Sequence, residues 1–421
     1  MTNSTVRTEK PKMELLAPAG GMKHLEAALR FGADAVYGGL AAYSLRASAA
    51  NFTWEELGQA VARTHERGAK FYLTLNLLPF DEDLPGMAEA AAKACALGVD
   101  AALVADPGAF SLIRKSAPDL PLHVSTQANV MNLAGALLWA ELGARRIVLA
   151  RELSLDRIRK IRDGLPDSVE LEAFVHGAMC MSYSGRCMLS DHMTGRSANR
   201  GACAQPCRWL YRLVEEKRPG EIIDAVQDER GTSFFSSYDL CMIGHLPEMA
   251  DTGISSLKIE GRMKTPIYAA SVVSVYRRAL DLLARDGREA WQAALPELTR
   301  ELEKVSHRPY NTGFYFGRPE PEGGAGPVTQ TMEYTADVEE VRDGWMTLTV
   351  KNRFFPGDGV EVLTPAGVFP LNVREIRDAG ADEPMDVVSV PGRLVRVPCP
   401  FPAQEGDFVR GINRNHREQG L

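Results

Sequence analysis

One structural module repeats along the N-terminal part of this chain of 421 residues. Each copy contains an amphipathic helical stretch, then a glycine, then a short apolar run. The glycine falls where a helix often ends in a left-handed residue, and an uninterrupted apolar run is typical of a strand buried on both faces of a parallel sheet. Five segments show the module clearly: RFGADAVYGG (30–39), ERGAKFYLTLN (66–76), ALGVDAALVAD (96–106), ELGARRIVLA (141–150) and DTGISSLKIEG (251–261).

Three more apolar runs bring the predicted strands to eight, namely MELLAPAG (13–20), LPLHVSTQANV (120–130) and VELEAFVHGAMC (169–180). Eight successive strand–helix repeats predict an α/β fold, a closed (β/α)8 TIM-like barrel. A doubly wound open sheet is the alternative. The sequence has no G-x-G-x-x-G turn after the first strand, which counts weakly against that alternative.

The module is interrupted once, between the seventh and the eighth strand. A cysteine-rich insertion at 177–250 separates these strands and contains five of the seven cysteines. Loops that follow the strands of such a barrel lie on its catalytic face, so we expect the insertion to cover the mouth of an active site. The clustered cysteines are Cys180, Cys187, Cys203, Cys207 and Cys241.

The other domain boundaries follow from changes in composition. Residues 1–12 are polar and are expected to be flexible, residues 13–316 form the predicted barrel domain, and a Pro/Gly-rich linker follows at 317–327. From 328 to 421 short alternating runs are separated by turn residues, a pattern that predicts a small antiparallel β-barrel domain.

Charge and hydropathy restrict the function classes. A net charge of −7 argues against a broad basic surface for nucleic acid. Between Leu171 and Arg212, however, the sequence contains five arginines and only two acidic residues. These arginines either form a basic island or pair with acids elsewhere in the chain. No apolar run approaches the ~18 residues of a membrane span. The polar N-terminus lacks the apolar core of a secretory signal, so we expect a cytoplasmic protein without a membrane partner. In that reducing compartment, clustered cysteines indicate metal binding or catalysis.

Three chemistries compete for the clustered cysteines. Cys180 and His176 could form a nucleophile and its base, but neighbouring thiols would compete, and the sequence has neither H-E-x-x-H nor G-x-S-x-G. Cys203 and Cys207 could form half of a zinc knuckle, yet the other spacings do not repeat that pair. A four-cysteine iron–sulfur set fits the wide spacing better, with Cys207 as the alternative to Cys203. That set is Cys180, Cys187, Cys203 and Cys241.

Polar residues at the predicted strand ends would face the same mouth. Lys258 and Arg262, on either side of Glu260, could bind a phosphate or a small dicarboxylate, or these charges could only satisfy one another. His176 lies beside the cysteine loop and could donate a proton, or be a core residue bonded to backbone. The other residues at strand ends are Asn76, Gln127, Asn129, Arg151, Glu152 and Glu172.

Long motifs of this chain resemble the collagenase-like peptidase family, peptidase family U, number 32. The segment EAFVHGAMCMSYSGRCMLS (172–190) is similar to the family signature without a visible mismatch, and the resemblance covers nearly the whole chain. The other motifs are LLAPAGGMKHLEAALRFGADAVYGG (15–39), NRGACAQPCRW (199–209), SSYDLCMIGHL (236–246) and LKIEGRMKTPIYAASVVSVYRRAL (257–280).

The resemblance implies a [4Fe–4S] cluster on Cys180, Cys187, Cys203 and Cys241, with zinc as the less favoured metal. The length and the C-terminal β-domain resemble family members that convert the wobble uridine of tRNA to 5-hydroxyuridine in a prephenate-dependent, oxygen-independent way. The implied partners are tRNA and a small anionic co-substrate such as prephenate. The alternatives are a hydroxylase of ribosomal RNA or of another aromatic ring, a collagenase-like peptidase, and a non-catalytic partner that delivers electrons or holds RNA.

Under this hypothesis the candidate residues have separate roles. The residues predicted to act in catalysis are His176, Glu172 and Tyr183. The residues predicted to bind substrates are Arg186, Arg208, Lys258, Glu260, Arg262, Asn76 and Gln127. Arg186 and Arg208 would hold phosphate, while Tyr183 or Trp209 would stack on a flipped base. Lys258 and Arg262 would hold the anionic co-substrate.

Overall fold

The computed structural model of the protein describes residues 13–46, 50–180, 182–209, 226–228, 231–233, 238–317 and 328–413. The segment predicted to be flexible, 1–12, and most of the predicted linker, 318–327, lie outside the described residues. None of the helices in the described ranges is long and apolar enough to cross a membrane.

Eight parallel strands form a closed barrel, as the repeated module predicts. The strands before the C-terminal region are β1 (Glu14–Pro18), β2 (Ala35–Gly39), β3 (Lys70–Leu75), β4 (Ala101–Val104), β5 (Leu122–Val124), β6 (Arg146–Val148), β7 (Glu170–Ala178), β8 (Val226–Asp228), β9 (Gly231–Ser233), β10 (Asp239–Cys241), β11 (Ser256–Ile259) and β12 (Tyr310–Asn311). Strands β1 to β7 pair in chain order, and β11 pairs with both β7 and β1, which closes the ring. The doubly wound open sheet was therefore the wrong alternative.

Helices surround the barrel and return the chain between strands. They are α1 (Met22–Arg30), α2 (Trp54–Glu66), α3 (Leu84–Ala96), α4 (Pro107–Ser116), α5 (Leu133–Glu141), α6 (Leu155–Gly164), α7 (Leu189–Thr194), α8 (Leu246–Asp251), α9 (Pro266–Arg285) and α10 (Gly287–Leu302). Helix α2 begins with a capping box between Thr53 and Glu56. The glycine of the module has the predicted left-handed conformation, with φ of 68° at Gly68 and 83° at Gly98.

The described part of the insertion packs across the mouth of the barrel. The backbone N–H of Ser184 donates to Glu152, in the loop after β6, at 2.9 Å. Further along, Leu78 N, in the loop after β3, donates to Asn199 O at 3.0 Å. Contacts with loops from separate strands hold the insertion over the carboxyl ends of the strands, so the predicted cover is confirmed.

The C-terminal region forms a separate antiparallel sheet with its own hydrophobic core. Its strands are β13 (Met332–Arg342), β14 (Trp345–Val350), β15 (Gly359–Thr364), β16 (Gly367–Asn372), β17 (Arg377–Asp378), β18 (Leu394–Pro398) and β19 (Phe408–Ile412), in the spatial order β16-β15-β19-β13-β14-β18-β17. Buried ion pairs attach the sheet to the barrel helices: Arg410 contacts Glu301 of α10, and Asp407 contacts Arg30 of α1 at 2.6 Å. Phe408 also packs into the barrel core.

Candidate active site at the barrel mouth

The amino end of the barrel interior holds a set of paired charges. Arg146 on β6 contacts three carboxylates, Glu14 at 2.6 Å, Glu170 at 2.7 Å and Glu172 at 3.1 Å. Glu172 is fully buried and also accepts a hydrogen bond from Lys258 Nζ at 2.8 Å. Burial opposes ionisation of Glu172, but these two cations hold its pKa below the usual value. We refer to these five residues as the lower ion layer.

A second group of charges lies at the carboxyl ends of the strands. Glu260, directly after β11, pairs with Arg46 at 3.4 Å and lies 3.9 Å from Arg151. The Arg151 guanidinium also lies over the Phe174 ring, 4.0 Å from its centroid. Burial opposes ionisation of Glu260, but the surrounding cations hold its pKa below the usual value. We name Arg46, Arg151, Glu260 and Arg262 the mouth cluster.

Arg262 is the most buried member of the mouth cluster, with 4% of its surface exposed. Its Nη1 donates to Ser44 Oγ at 2.7 Å and Thr74 Oγ1 at 3.1 Å, and its Nη2 donates to Asn51 Oδ1. Gly39 leaves room for this arrangement, because a Cβ there would lie 2.4 Å from Thr74 Oγ1 and 2.9 Å from Arg262 Nη2. Hydroxyl and amide oxygens therefore fix the guanidinium.

The mouth cluster has more positive charge than its carboxylate can balance. Among the described residues, no carboxylate lies within ion-pair distance of Arg262. Burial lowers the pKa of Arg262 to about 10, and the charge of Arg46 acts in the same direction. The Nε atoms of Arg151 and Arg262 are buried without a hydrogen-bond partner in the described ranges. Buried donors without partners cost free energy, so an anion is the ligand that suits this cluster.

Two of the predicted metal ligands lie beside the mouth cluster. Cys180 Sγ is 3.7 Å from Arg151 Nη1. Glu260 raises the pKa of Arg46, and Cys180 and Cys203 act in the same direction, so both sulfurs lie within electrostatic reach of one guanidinium.

The surroundings of Cys241 are different. It lies on β10 opposite His176 of β7, and its Sγ is 3.9 Å from the Tyr276 hydroxyl. Burial raises the pKa of the Cys241 thiol to about 11. In the described part of the chain, no three Cys, His, Asp or Glu side chains are placed to hold a metal ion. The four-cysteine ligand set, with Cys207 as the alternative to Cys203, stays a prediction.

An irregularity in β7 determines the environment of His176. The register between β7 and β11 shifts after Lys258, so that His176 pairs with Ile259. The imidazole is buried, and its two nitrogens lie 3.5 Å from the hydroxyls of Tyr276 and Tyr310. Burial lowers its pKa to about 3. The imidazole of His176 thus lies in a tyrosine-lined region, while its backbone oxygen accepts a hydrogen bond from Glu260 N at 2.9 Å. Its catalytic role stays a prediction.

The other predicted residues are divided between interior and rim. Glu172 belongs to the lower ion layer, while Asn76 donates to a serine hydroxyl after β5 at 3.1 Å. The backbone of Gln127 packs against the insertion. Tyr183 and Arg186 are exposed on the insertion, and the side chain of Arg208 lies outside the described residues.

Sequence reasoning missed the contribution of the loop after β2. This loop supplies Arg46, Ser44 and Asn51 to the site. The available signal was the presence of serine, arginine and asparagine in the stretch AAYSLRASAANF (41–52), directly after a predicted strand that ends in two glycines. Such a loop lies on the catalytic face of a barrel. Arg151 was recognised at a strand end but was given no role.

A closed (β/α)8 barrel with a charged mouth under an insertion is the architecture of the TIM-barrel proteins, which place their active sites at this end. The model of Peptidase family U32 matches residues 20–324, and the model of the Peptidase family U32 C-terminal domain matches residues 330–410. The chain belongs to peptidase family U32.

Curated relatives resemble nearly the whole chain. The tRNA hydroxylation protein P of Escherichia coli (strain K12) is 35% identical over 92% of this chain and 94% of its own length. The tRNA hydroxylation protein P1 of Bacillus subtilis (strain 168) is 38% identical over 93% of this chain and 92% of its own. The 23S rRNA 5-hydroxycytidine C2501 synthase of Escherichia coli (strain K12) is 30% identical over 88% of this chain and 56% of its own.

Proposed function

We propose that this protein is an RNA-modifying enzyme that hydroxylates a pyrimidine base, with the wobble uridine of tRNA as substrate and 5-hydroxyuridine as product. The names of the relatives support RNA hydroxylation, and their similarity extends over both domains. The observation that carries the proposal is the mouth cluster. It offers buried cationic donors to an anion, directly beside the thiols of the insertion.

The proposed ligand of the mouth cluster is the small anionic co-substrate, with prephenate as the candidate. A guanidinium binds a carboxylate through two parallel hydrogen bonds, and the Nε atoms of Arg151 and Arg262, which have no partner among the described residues, are the donors that we assign to it. Glu260 would orient Arg46 and Arg151 by its ion pairs. The residues that fix Arg262 would keep its charge in place while the substrate base enters the mouth.

The proposed cofactor is a [4Fe–4S] cluster on Cys180, Cys187, Cys203 and Cys241. A cluster spreads its ligands around a cube of atoms, so loops from distant positions can supply the thiolates. Besides Glu260, Cys180 and Cys203 both lie close enough to Arg46 to raise its pKa, which supports placing these two cysteines in one ligand set. When bound, the cluster would supply electron transfer at the mouth.

The test combines spectroscopy with nucleoside analysis. The full-length protein, purified without oxygen, is expected to be brown with broad visible absorption, and Cys180→Ser is expected to lose it. In a bacterial strain that lacks its own tRNA uridine hydroxylases, the wild type should restore 5-hydroxyuridine, as measured by mass spectrometry of tRNA nucleosides. Cys95→Ser, which alters a cysteine of α3 far from the insertion, should behave as the wild type.

Three outcomes would contradict parts of the proposal. A colourless protein with stoichiometric zinc would refute the cluster. Loss of colour in Cys180→Ser with normal 5-hydroxyuridine would show that the cluster is not needed for the reaction. Failure of the wild type to restore the modified base would refute tRNA uridine as the substrate.

A further inference from the structure

An exposed aromatic ring lies at the junction of the barrel rim and the insertion. Phe80, in the loop between β3 and α3, is 58% exposed. The guanidinium of Arg200, from the insertion, lies over its ring at 4.2 Å from the centroid. Arg200 covers only part of the phenyl ring, and large apolar side chains that stay exposed in this way often mark a binding surface.

One carboxylate fixes both members of this stack. Asp83 Oδ2 accepts hydrogen bonds from Phe80 N at 2.7 Å and from Arg200 Nη1 at 2.8 Å. Arg200 Nη1 also donates to Leu78 O at 3.1 Å. The ring and the guanidinium are therefore held before any partner arrives. A preorganised side chain loses less conformational entropy on binding than a free one.

The exposed charges near the stack are of both signs: Asp81 and Glu82 directly follow Phe80 and are exposed, while cations are exposed on the insertion. Arg186 and Arg196 are exposed on the same insertion, and neither forms an ion pair with a described residue. Tyr183 and Met188 are also exposed there, at 58% and 65%. The insertion of a chain with a net charge of −7 thus carries exposed cations that have no ion pair among the described residues, together with exposed stacking groups. Such groups suit a ligand that has both phosphates and accessible planar faces.

We propose that the Phe80–Arg200 stack is a stacking platform for an unpaired base of a single-stranded RNA segment, with Arg186 and Arg196 as contacts to its phosphates. This inference rests on the proposed function, because it concerns how the same substrate reaches the mouth. Single-stranded RNA is favoured over a duplex because bases inside a duplex have no free face. Unpaired bases stack on aromatic rings and on guanidinium planes.

Binding by the full-length protein tests the platform. A fluorescein-labelled, unstructured RNA of about 15 nucleotides would be titrated and followed by fluorescence anisotropy, because single-stranded binding surfaces contact about 4–16 nucleotides. Phe80→Ala is expected to weaken binding by about five-fold to a hundred-fold, the usual range for loss of one stacked base. Phe80→Trp should bind as the wild type does. Leu138→Ala, at a 56%-exposed position on α5, is the matched control and should not change affinity.

Salt dependence separates stacking from charge. Arg196→Gln should reduce the slope of log affinity against log salt by about one, since a phosphate contact is lost. Phe80→Ala should lower the affinity at every salt concentration and leave that slope unchanged. The unfolding midpoint of each variant shows whether the loop and insertion keep their structure.

The outcomes distinguish this inference from the proposed function. If the wild type binds neither the oligonucleotide nor purified tRNA, RNA as substrate is wrong, and the platform with it. If the wild type binds RNA and Phe80→Ala binds equally well, only the platform is wrong, and the stack serves to fasten the insertion. Equal affinity for a duplex of the same sequence, with the same loss in Phe80→Ala, would refute the single-stranded partner. A Phe80→Trp variant as weak as Phe80→Ala would also refute stacking.

Discussion

The lower ion layer and the mouth cluster use the same residue types in one barrel, but their charges are balanced differently. In the lower layer each carboxylate contacts a cation, and Arg146 alone contacts three of them. In the mouth cluster three guanidinium groups surround Glu260, and two of their Nε atoms have no partner among the described residues. In the first set the counter-charges all lie within the protein, whereas in the second our proposal assigns one to an anionic ligand.

This difference shows that burial alone does not identify a functional charge. Glu172 and Arg262 are both buried, at 0% and 4% exposure. Two cations hold the pKa of Glu172 below its usual value, despite its burial. Burial without a contacting carboxylate lowers the pKa of Arg262. Glu172 has its counter-charges within the protein, whereas Arg262 has no contacting carboxylate among the described residues and is therefore the better candidate for binding a ligand.

The largest expected effect is on stability, from Glu172→Ala. The substitution leaves the Lys258 ammonium buried without its carboxylate, and loss of one partner of a buried ion pair typically costs about 3–5 kcal/mol. Urea unfolding followed by circular dichroism should therefore show a large fall in the midpoint. The double variant Glu172→Ala with Lys258→Met should recover part of the loss. An unchanged midpoint in Glu172→Ala would mean that the lower ion layer does not stabilise the barrel.

The next effect concerns ligand binding at the mouth cluster. A small dicarboxylate such as malonate, at constant ionic strength, should raise the unfolding midpoint. The gain would be about 2.7 kcal/mol at a concentration one hundred times the dissociation constant. Arg262→Met should abolish this gain. Arg278→Met, which breaks an exposed pair with Glu297 on the barrel surface, should keep it. An equal gain in Arg262→Met would place the anion elsewhere.

A smaller effect depends on pH and on His123 in the barrel interior. Burial lowers the pKa of His123 well below its usual value, and Arg146 and Lys258 act in the same direction. Below about pH 6.5 His123 is protonated in the unfolded chain but stays neutral in the folded protein. The free energy of unfolding therefore decreases as the pH falls, by up to about 1.4 kcal/mol per pH unit. His123→Phe should make this loss shallower in unfolding measurements between pH 7 and pH 5.

The control for this prediction is a histidine outside the barrel. His192 is exposed on α7 of the insertion, and His192→Phe is expected to keep the pH dependence of the wild type. A curve for His123→Phe that overlies the wild-type curve would show that His123 does not contribute to acid destabilisation.

The fold was predictable because its signals are local and repeated. Each helix of the module ends in a left-handed conformation that favours glycine, and the apolar run after it is typical of a buried strand. Eight strands and the position of the insertion could therefore be predicted before any contact was known. The arrangement of the mouth cluster was harder to predict from the sequence. Lys258 and Arg262 were predicted to bind one anion on either side of Glu260, but Lys258 contacts Glu172 in the lower ion layer, whereas Arg262 is held at the mouth by the loop after β2.

Two features of the site could not be inferred from spacing. Contacts between Arg262 and the loop after β2 join residues about two hundred positions apart, such as Asn51, and no periodicity reports such contacts. The irregular pairing between β7 and β11 places the imidazole of His176 beside Tyr276 and Tyr310. A single shift of register redirects the side chains that follow it, and the sequence motif is the same in either arrangement.

The smallest expected effect on stability comes from Arg46→Met. This variant tests most directly whether the mouth cluster differs from the lower ion layer. Arg46 is 29% exposed, and Glu260 keeps Arg151 as a neighbour when Arg46 is lost. Partly exposed pairs contribute little, so we expect the free energy of unfolding to change by less than about 1 kcal/mol. The affinity for malonate, measured by calorimetry, should nevertheless fall several-fold, because one of the excess cations is gone. A large loss of stability with unchanged malonate affinity would instead make the mouth cluster a structural layer like the one below it.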